Sequence, residues 1–244
     1  MAPSLPAARA ARPAVWSHRG RVGPPDGFQE NTVAAFQAAS ATGADGIELD
    51  VWRTLDGQWV VHHDRNSVAG PLDALARSEV PAGIPSLGDA LSACSVGTVN
   101  VELKVPPEAT PAEAAALGEE LAGSLALPGG PLPLNRLVLS SFSADAAGAA
   151  LGAVPALRVG LLVEAAVAGE WAAAAAAGYW ALHVPYEVLG PAEVAALHDH
   201  GLYVVAWTVD EPAQMERLVR AGVDVLITNT PLVALVAVRG CSEA

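Results

Sequence analysis

The chain reads as an α/β protein: a (β/α)8 TIM-type barrel with a β-hairpin and a small insert after the second strand. Three observations predict this. Its 244 residues approach the ~250 typical of an α/β barrel. Eight short apolar runs of strand length alternate with helical segments. The alternation continues without a linker or a shift in composition, so one domain is expected over residues 14–236. A disordered tail at 1–13 and a C-terminal tail at 237–244 would flank it. A doubly wound open sheet is the structural alternative.

The expected strands are Ala14–Ser17, Gly46–Trp52, Val99–Lys104, Leu137–Ser140, Val159–Val163, Trp180–Val184, Tyr203–Thr208 and Val225–Thr228. Each is short, apolar and rich in Val, Leu, Ile or Trp, as strands buried on both faces are. Asn31 or Thr32 caps a helix ending near Gly43, and Thr110, Pro111 and Glu113 form a capping-box start. Pro191 sits at a first helical position, and Asp210 precedes Glu211-Pro212 as an N-cap. Gly178, Gly201 and Gly222 mark left-handed helix ends.

Between Asp50 and Asp64 there is no room for a helix, and Asp56-Gly57 is a two-residue hairpin signal. With those two as the turn, Leu55 faces Gln58, Arg53 faces Val60 and Asp50 faces His63. Residues 64–84, rich in Gly, Pro and small residues, read as an irregular insert before a helix near Leu87.

Hydrophobic residues make up 52% of the chain and charged ones 16%, with a formal net charge of −13. Such a chain buries a large core. Its acidity argues against nucleic acid and anionic lipid surfaces as partners. An anionic substrate would need a local cation or converging Arg and Lys. Cys94 and Cys241 fit neither a zinc spacing nor a disulfide framework. Residues 1–13 hold no apolar run of signal-peptide length, and no stretch suits a membrane span. A cytoplasmic protein without stable membrane association is the expectation.

Barrel active sites lie at the C-terminal strand ends. There the sequence places His18-Arg19, Glu48-Leu49-Asp50, Glu102-Leu103-Lys104 and Trp207-Thr208. Glu48 and Asp50 share one strand face, and Glu102 and Lys104 repeat that geometry. Three converging carboxylates repel unless neutralised, which predicts an oxygen-liganded divalent cation, Mg²⁺ or Ca²⁺. Salt bridges to Arg19, Arg53 and Lys104 are the plainer reading of the same acids. His18 and His63 are positioned as an acid–base pair. Arg19 offers a fork of donors to phosphate, and Lys104 a point charge. Glu30 and Trp207 complete the expected substrate contacts, although Glu30-Asn31 also reads as a helix start and Trp207 as core. A lone histidine is more often packed or solvated, and His62, His183, His198 and His200 are read so.

In order, His18-Arg19-Gly20, Glu30-Asn31-Thr32, Glu48-Leu49-Asp50, His63-Asp64 and Glu102-Leu103-Lys104 resemble the motifs of glycerophosphodiester phosphodiesterases. Ile84-Pro85-Ser86-Leu87, Ser141-Phe142, Ala206-Trp207-Thr208-Val209 and Gly222-Val223-Asp224 extend the resemblance. It covers roughly residues 14–236 and rests on the ordered set rather than on any one motif. It implies hydrolysis of a small glycerophosphodiester to glycerol 3-phosphate and an alcohol, within lipid metabolism. It also implies metal binding by Glu48, Asp50 and Glu102, acid–base work by His18 and His63, and phosphate binding by Arg19 and Lys104. The chain departs from the family pattern at Arg65–Gly70, where an Arg-Thr-Thr-like stretch is frequent. It departs again at Asp210, where Asn is frequent, and at Asn229, where Asp is. These bear on substrate choice more than on catalysis. The alternatives are a lysophospholipase D type of phosphodiesterase and a non-catalytic binding barrel.

Overall fold

The structure, a computed structural model, describes residues 12–22, 27–165 and 168–240. Most of the two expected tails, residues 1–11 and 241–244, lies outside the described residues. In chain order the elements begin β1 (Ala14–His18), α1 (Val33–Ala41), β2 (Gly46–Arg53), β3 (Trp59–Val61), β4 (Asn66–Ser67), β5 (Gly70–Pro71) and α2 (Leu87–Ala93). They continue with β6 (Thr98–Leu103), α3 (Pro111–Leu125), β7 (Leu137–Ser141), α4 (Ala144–Ala153), β8 (Arg158–Leu162) and α5 (Ala168–Ala177). The last are β9 (Ala181–Pro185), α6 (Pro191–Asp199), β10 (Tyr203–Trp207), α7 (Pro212–Ala221), β11 (Val225–Thr228) and α8 (Pro231–Gly240). Helix α8 thus continues past residue 236, into the expected tail.

The eight parallel strands follow the order β1-β2-β6-β7-β8-β9-β10-β11, and β1 pairs in parallel with both β2 and β11, which closes the barrel. Closure excludes the open doubly wound sheet. Outward-facing Val15, Ile47, Leu49, Val101, Leu139, Leu182, Val204 and Leu226 pack under Phe36, Leu121, Leu197 and Leu218 of the helices. Inward-facing Trp16, Val138, Ala181, Val205, Val225 and Ile227 fill the barrel's centre. The inward acids Glu48, Asp50 and Glu102, with His18, lie toward the C-terminal ends, and this places the site.

Thr32, not Asn31, caps α1, accepting from the Ala35 amide at 3.3 Å. Asn31 is instead held at φ 56° with its side chain turned into the barrel. The capping box at Thr110 and Glu113 is present, with Pro111 in the first turn, and Pro191 opens α6. Gly178, Gly201 and Gly222 have φ of 89°, 80° and 87°. Asp210 does not cap α7, whose N-cap is Glu211. Its carboxylate instead accepts from the Asn229 amide and side chain, each at 2.8 Å, and from Thr228 Oγ1 at 3.0 Å.

The hairpin exists, but its register is one residue away from the expected one. Arg53 pairs with Trp59, Trp52 with Val60 and Val51 with Val61. The loop has three residues, Leu55-Asp56-Gly57, closed by Thr54 N donating to Gln58 O at 2.8 Å. Gly57 occupies the left-handed position at φ 80°, as a three-residue loop requires. The Thr54 hydroxyl reinforces the closure by donating to Asp56 Oδ1 at 2.6 Å and accepting from Gln58 N at 2.9 Å. Asp50 therefore faces His62, whose amide donates to Asp50 O at 3.0 Å. The insert is less irregular than expected. It carries the β4–β5 ribbon and two short 3-10 turns, and it buries Leu72, Val80 and Ile84 against Trp52 and Val60.

Candidate active site

The three carboxylates converge. One oxygen from each of Glu48, Asp50 and Glu102 lies within 4.8 Å of the others, and all three residues are buried. Register explains this: Asp50 stands beside Glu102 across the β2–β6 ladder, and Glu48 is one inward position below. Burial, then repulsion from Asp50, pushes Glu102 up to about 7. The same causes, with Glu102 added, raise Glu48 well above its ordinary value. Asp50 moves down: burial opposes ionisation, but Lys104 and Arg19 outweigh it. Lys104 Nζ stands 2.9 Å from Asp50 Oδ1 and also pairs with Glu102. Burial lowers the Lys104 ammonium, yet the two carboxylates prevail and hold it above its ordinary value.

The loop after β1 wraps this cluster. Arg19 has φ 55°, and its amide donates to Glu48 Oε2 at 3.1 Å. Its guanidinium sits 3.3 Å from Asp50 Oδ2 and 3.0 Å from Glu30 Oε1. Gly20, at φ 84°, passes so close to α1 that a Cβ would stand 2.8 Å from Ala35. Asn31 completes the wrap. Its amide donates to Arg19 O at 2.9 Å, and its Nδ2 donates to Asp50 Oδ2 at 2.8 Å. Two non-glycine residues in the left-handed region thus both serve the carboxylate cluster.

His18 is anchored from the far side of the barrel seam. Its ring Nδ1 lies 2.9 Å from Asn229 Oδ1, and Asn229 Nδ2 donates to Asp210. That chain orients the amide oxygen toward the ring and leaves Nε2 free, 3.9 Å from Glu48 Oε2. Burial, then the Arg19 charge, lowers the His18 pKa below its ordinary value. His63 lies just beyond the ladder. Its ring Nδ1 is 2.8 Å from Asp64 Oδ1, and its carbonyl accepts from Trp52 Nε1 at 3.1 Å. His62 turns its ring Nδ1 to Asp64 O at 2.7 Å.

A cavity of about 210 Å³ joins these groups. His18, Arg19, Glu48, His63, Glu102, Lys104 and Trp207 all line it, whereas His62 and Glu30 do not. Glu30 meets the site through its ion pair with Arg19. Trp207 makes an edge contact with Phe142, ring centroids 5.7 Å apart, and the pair walls one side. Four polar residues of the site escaped the sequence reading. In the sequence Asn31 reads as part of a helix start, and Asn229 only as a departure from the family pattern. Asn100 carried a usable signal, since it lies two before Glu102 and so shares its face. His183 reads as a packed residue; it is buried, but on the cavity wall.

A closed parallel barrel with acids, bases and cations gathered at its C-terminal rim is the architecture of a barrel enzyme. The sequence profile of the Glycerophosphoryl diester phosphodiesterase family matches residues 18–70 and 67–233. A glycerophosphodiester phosphodiesterase of Caldanaerobacter subterraneus is 30% identical over 242 residues, 86% of this chain and 92% of that one. A glycerophosphodiester phosphodiesterase from Parabacteroides distasonis superposes with a TM-score of 0.83 at 24% identity, covering 94% of this chain and 98% of the other. An Oleispira antarctica phosphodiesterase, solved with the product sn-glycerol 3-phosphate, has a TM-score of 0.81 at 23% identity over 93% and 97% of the two chains. The chain belongs to the glycerophosphoryl diester phosphodiesterase family, and it is a phosphoric diester hydrolase. Among the described residues, no helix is long and apolar enough to cross a membrane.

Proposed function

We propose that the protein hydrolyses glycerophosphodiesters to glycerol 3-phosphate and an alcohol, with His18 and His63 as the acid–base pair and a divalent cation on Glu48, Asp50 and Glu102. The observation that carries this is the meeting of both histidines with Glu48, Glu102, Arg19 and Lys104 on one cavity, with Asp50 clustered behind the two acids. The donor set fits a hard cation. Three buried carboxylates face one point, Glu48 and Glu102 are raised by burial and then by repulsion from Asp50, and among the described residues Glu48 Oε1 has no hydrogen-bond partner. Mg²⁺ and Ca²⁺ both suit such oxygens. Once bound, the cation would neutralise charge on the phosphate oxygens.

The chain's own groups do the rest. Arg19 and Lys104 hold the phosphate by charge-assisted hydrogen bonds. His18, kept neutral by burial, takes the proton of an attacking water at Nε2 while Asn229 holds Nδ1. The water oxygen forms a bond to phosphorus, and the bond to the leaving alcohol's oxygen breaks. His63 delivers a proton to that oxygen, with Asp64 orienting its ring. The Oleispira relative, solved with sn-glycerol 3-phosphate, supports this choice of product.

The test is a panel of water-soluble glycerophosphodiesters beside lysophospholipids, read by release of glycerol 3-phosphate. The short diesters should be preferred. A strong preference for long-chain lysolipids would favour the lysophospholipase D type instead.

A further inference from the structure

Beneath the acids the cavity has a neutral floor that the proposed chemistry does not use. His183 on β9 and Asn100 on β6 both line it, with β7 and β8 between them. His183 is fully buried, and among the described residues neither ring nitrogen has a hydrogen-bond partner. Asn100 donates from Nδ2 to Ser140 Oγ at 3.0 Å, but its Oδ1 has no partner among the described residues. Trp207 Nε1 on the same cavity has no partner among the described residues either.

The His183 ring has a prepared berth. A Cβ on Gly160 would stand 2.4 Å from His183 Nε2, so glycine on the neighbouring strand makes room for it. Trp16 lies under the ring at a centroid distance of 6.4 Å and closes the barrel below. Burial lowers the imidazole to about 3, which leaves it neutral. A neutral ring offers one N–H and one lone pair, and Asn100 adds an acceptor. Each buried group left unpaired carries its full desolvation penalty. Several on one cavity wall are complementary to a ligand that both donates and accepts. A phosphate, which only accepts, suits Arg19 and Lys104 above; a hydroxyl suits the floor.

We propose that Asn100 and His183 bind the hydroxyls of the glyceryl end of the substrate and make the enzyme select hydroxylated over deoxygenated diesters. This rests on the glycerophosphodiester reading. The enclosed end of the cavity then takes the constant glyceryl group. The variable alcohol leaves toward a neighbouring cavity of about 380 Å³, which shares Glu102, Lys104 and Phe142 with the first.

The experiment compares kcat/KM for glycerophosphocholine and for propylphosphocholine, the same diester without the two hydroxyls. It uses the metal-loaded wild type, Asn100→Leu, His183→Leu and His183→Gln, with bis(p-nitrophenyl) phosphate as a generic diester. The wild type should prefer the glyceryl substrate by roughly tenfold or more per hydrogen bond lost. Each leucine variant should lower that ratio by about tenfold, mainly through KM for the glyceryl substrate. His183→Gln keeps a donor and an acceptor and should retain part of the ratio. It also carries the test if His183→Leu fails to fold. A purely structural role would lower both rates together and leave the ratio where it was, which overturns the proposal. A wild type that cleaves the generic diester but releases no glycerol 3-phosphate would overturn the underlying reading instead, and the two failures are distinct.

Discussion

Glu102 and Glu48 are held as acids by burial and then by repulsion from Asp50, and this makes the metal-free site pH-sensitive. Their folded pKa values lie above the unfolded ones, at about 7 for Glu102. The stability they contribute is therefore full below about pH 4.5 and lost as pH rises through about 7. Glu48→Gln, Asp50→Asn and Glu102→Gln should each weaken Mg²⁺ or Ca²⁺ binding, read by titration calorimetry. At pH 8 without metal, Glu48→Gln and Glu102→Gln should melt no lower than wild type. His18→Ala and His63→Ala should each cost ~10²–10⁴ in turnover, the usual worth of a positioned acid or base. His62→Ala, whose ring turns away to Asp64 O, should cost far less. Asn229→Leu should lower kcat with the fold intact, because it frees the His18 ring to rotate. Glu48, Asp50, Glu102 and His18 are legible in the sequence because ionisable groups are out of place on apolar barrel strands, and His63 is legible through the hairpin that follows β2. Asn31, Asn100 and Asn229 are not, because an amide carries no charge to betray a function and each fits an ordinary local role.

At the scale of elements, strands and caps follow from local chemistry, and the errors fall where two local solutions compete. Asp56-Gly57 suits a two-residue turn. The same glycine also serves as the left-handed third residue of a longer loop, and the Thr54 hydroxyl decides for that loop. The one-residue slip puts Asp50 opposite His62, yet His63 still reaches the cavity because the chain leaves the ladder after Val61. Asp210 had the form of a cap, but hydrogen bonds to Thr228 and Asn229 claim its carboxylate. Packing between helices was beyond sequence reading. Gly118 of α3 lies so near α4 that a Cβ would stand 2.0 Å from Ala146 O. Gly118→Ala should therefore destabilise the protein by ~1–3 kcal/mol, as overpacking does, measured by urea unfolding.

For the whole molecule, eight apolar runs with no linker were enough to give a closed barrel. The composition of its interior was not evident, because inward and outward positions of a strand buried on both faces look alike. His183 shows the consequence. Burial holds it neutral at about 3, while the unfolded residue titrates near ~6.5. Its contribution is present above about pH 6.5 and falls by ~1.4 kcal/mol per unit as pH drops below that. Urea unfolding of His183→Gln should show a shallower acid decline than wild type between about pH 6 and pH 4. The most direct measurement of the central claim is glycerol 3-phosphate release from glycerophosphocholine by the purified protein, before and after EDTA. Release should stop when the metal is removed and return with Mg²⁺ or Ca²⁺. Undiminished release from a verified metal-free preparation, or none with any divalent cation, would contradict a metal-dependent glycerophosphodiesterase.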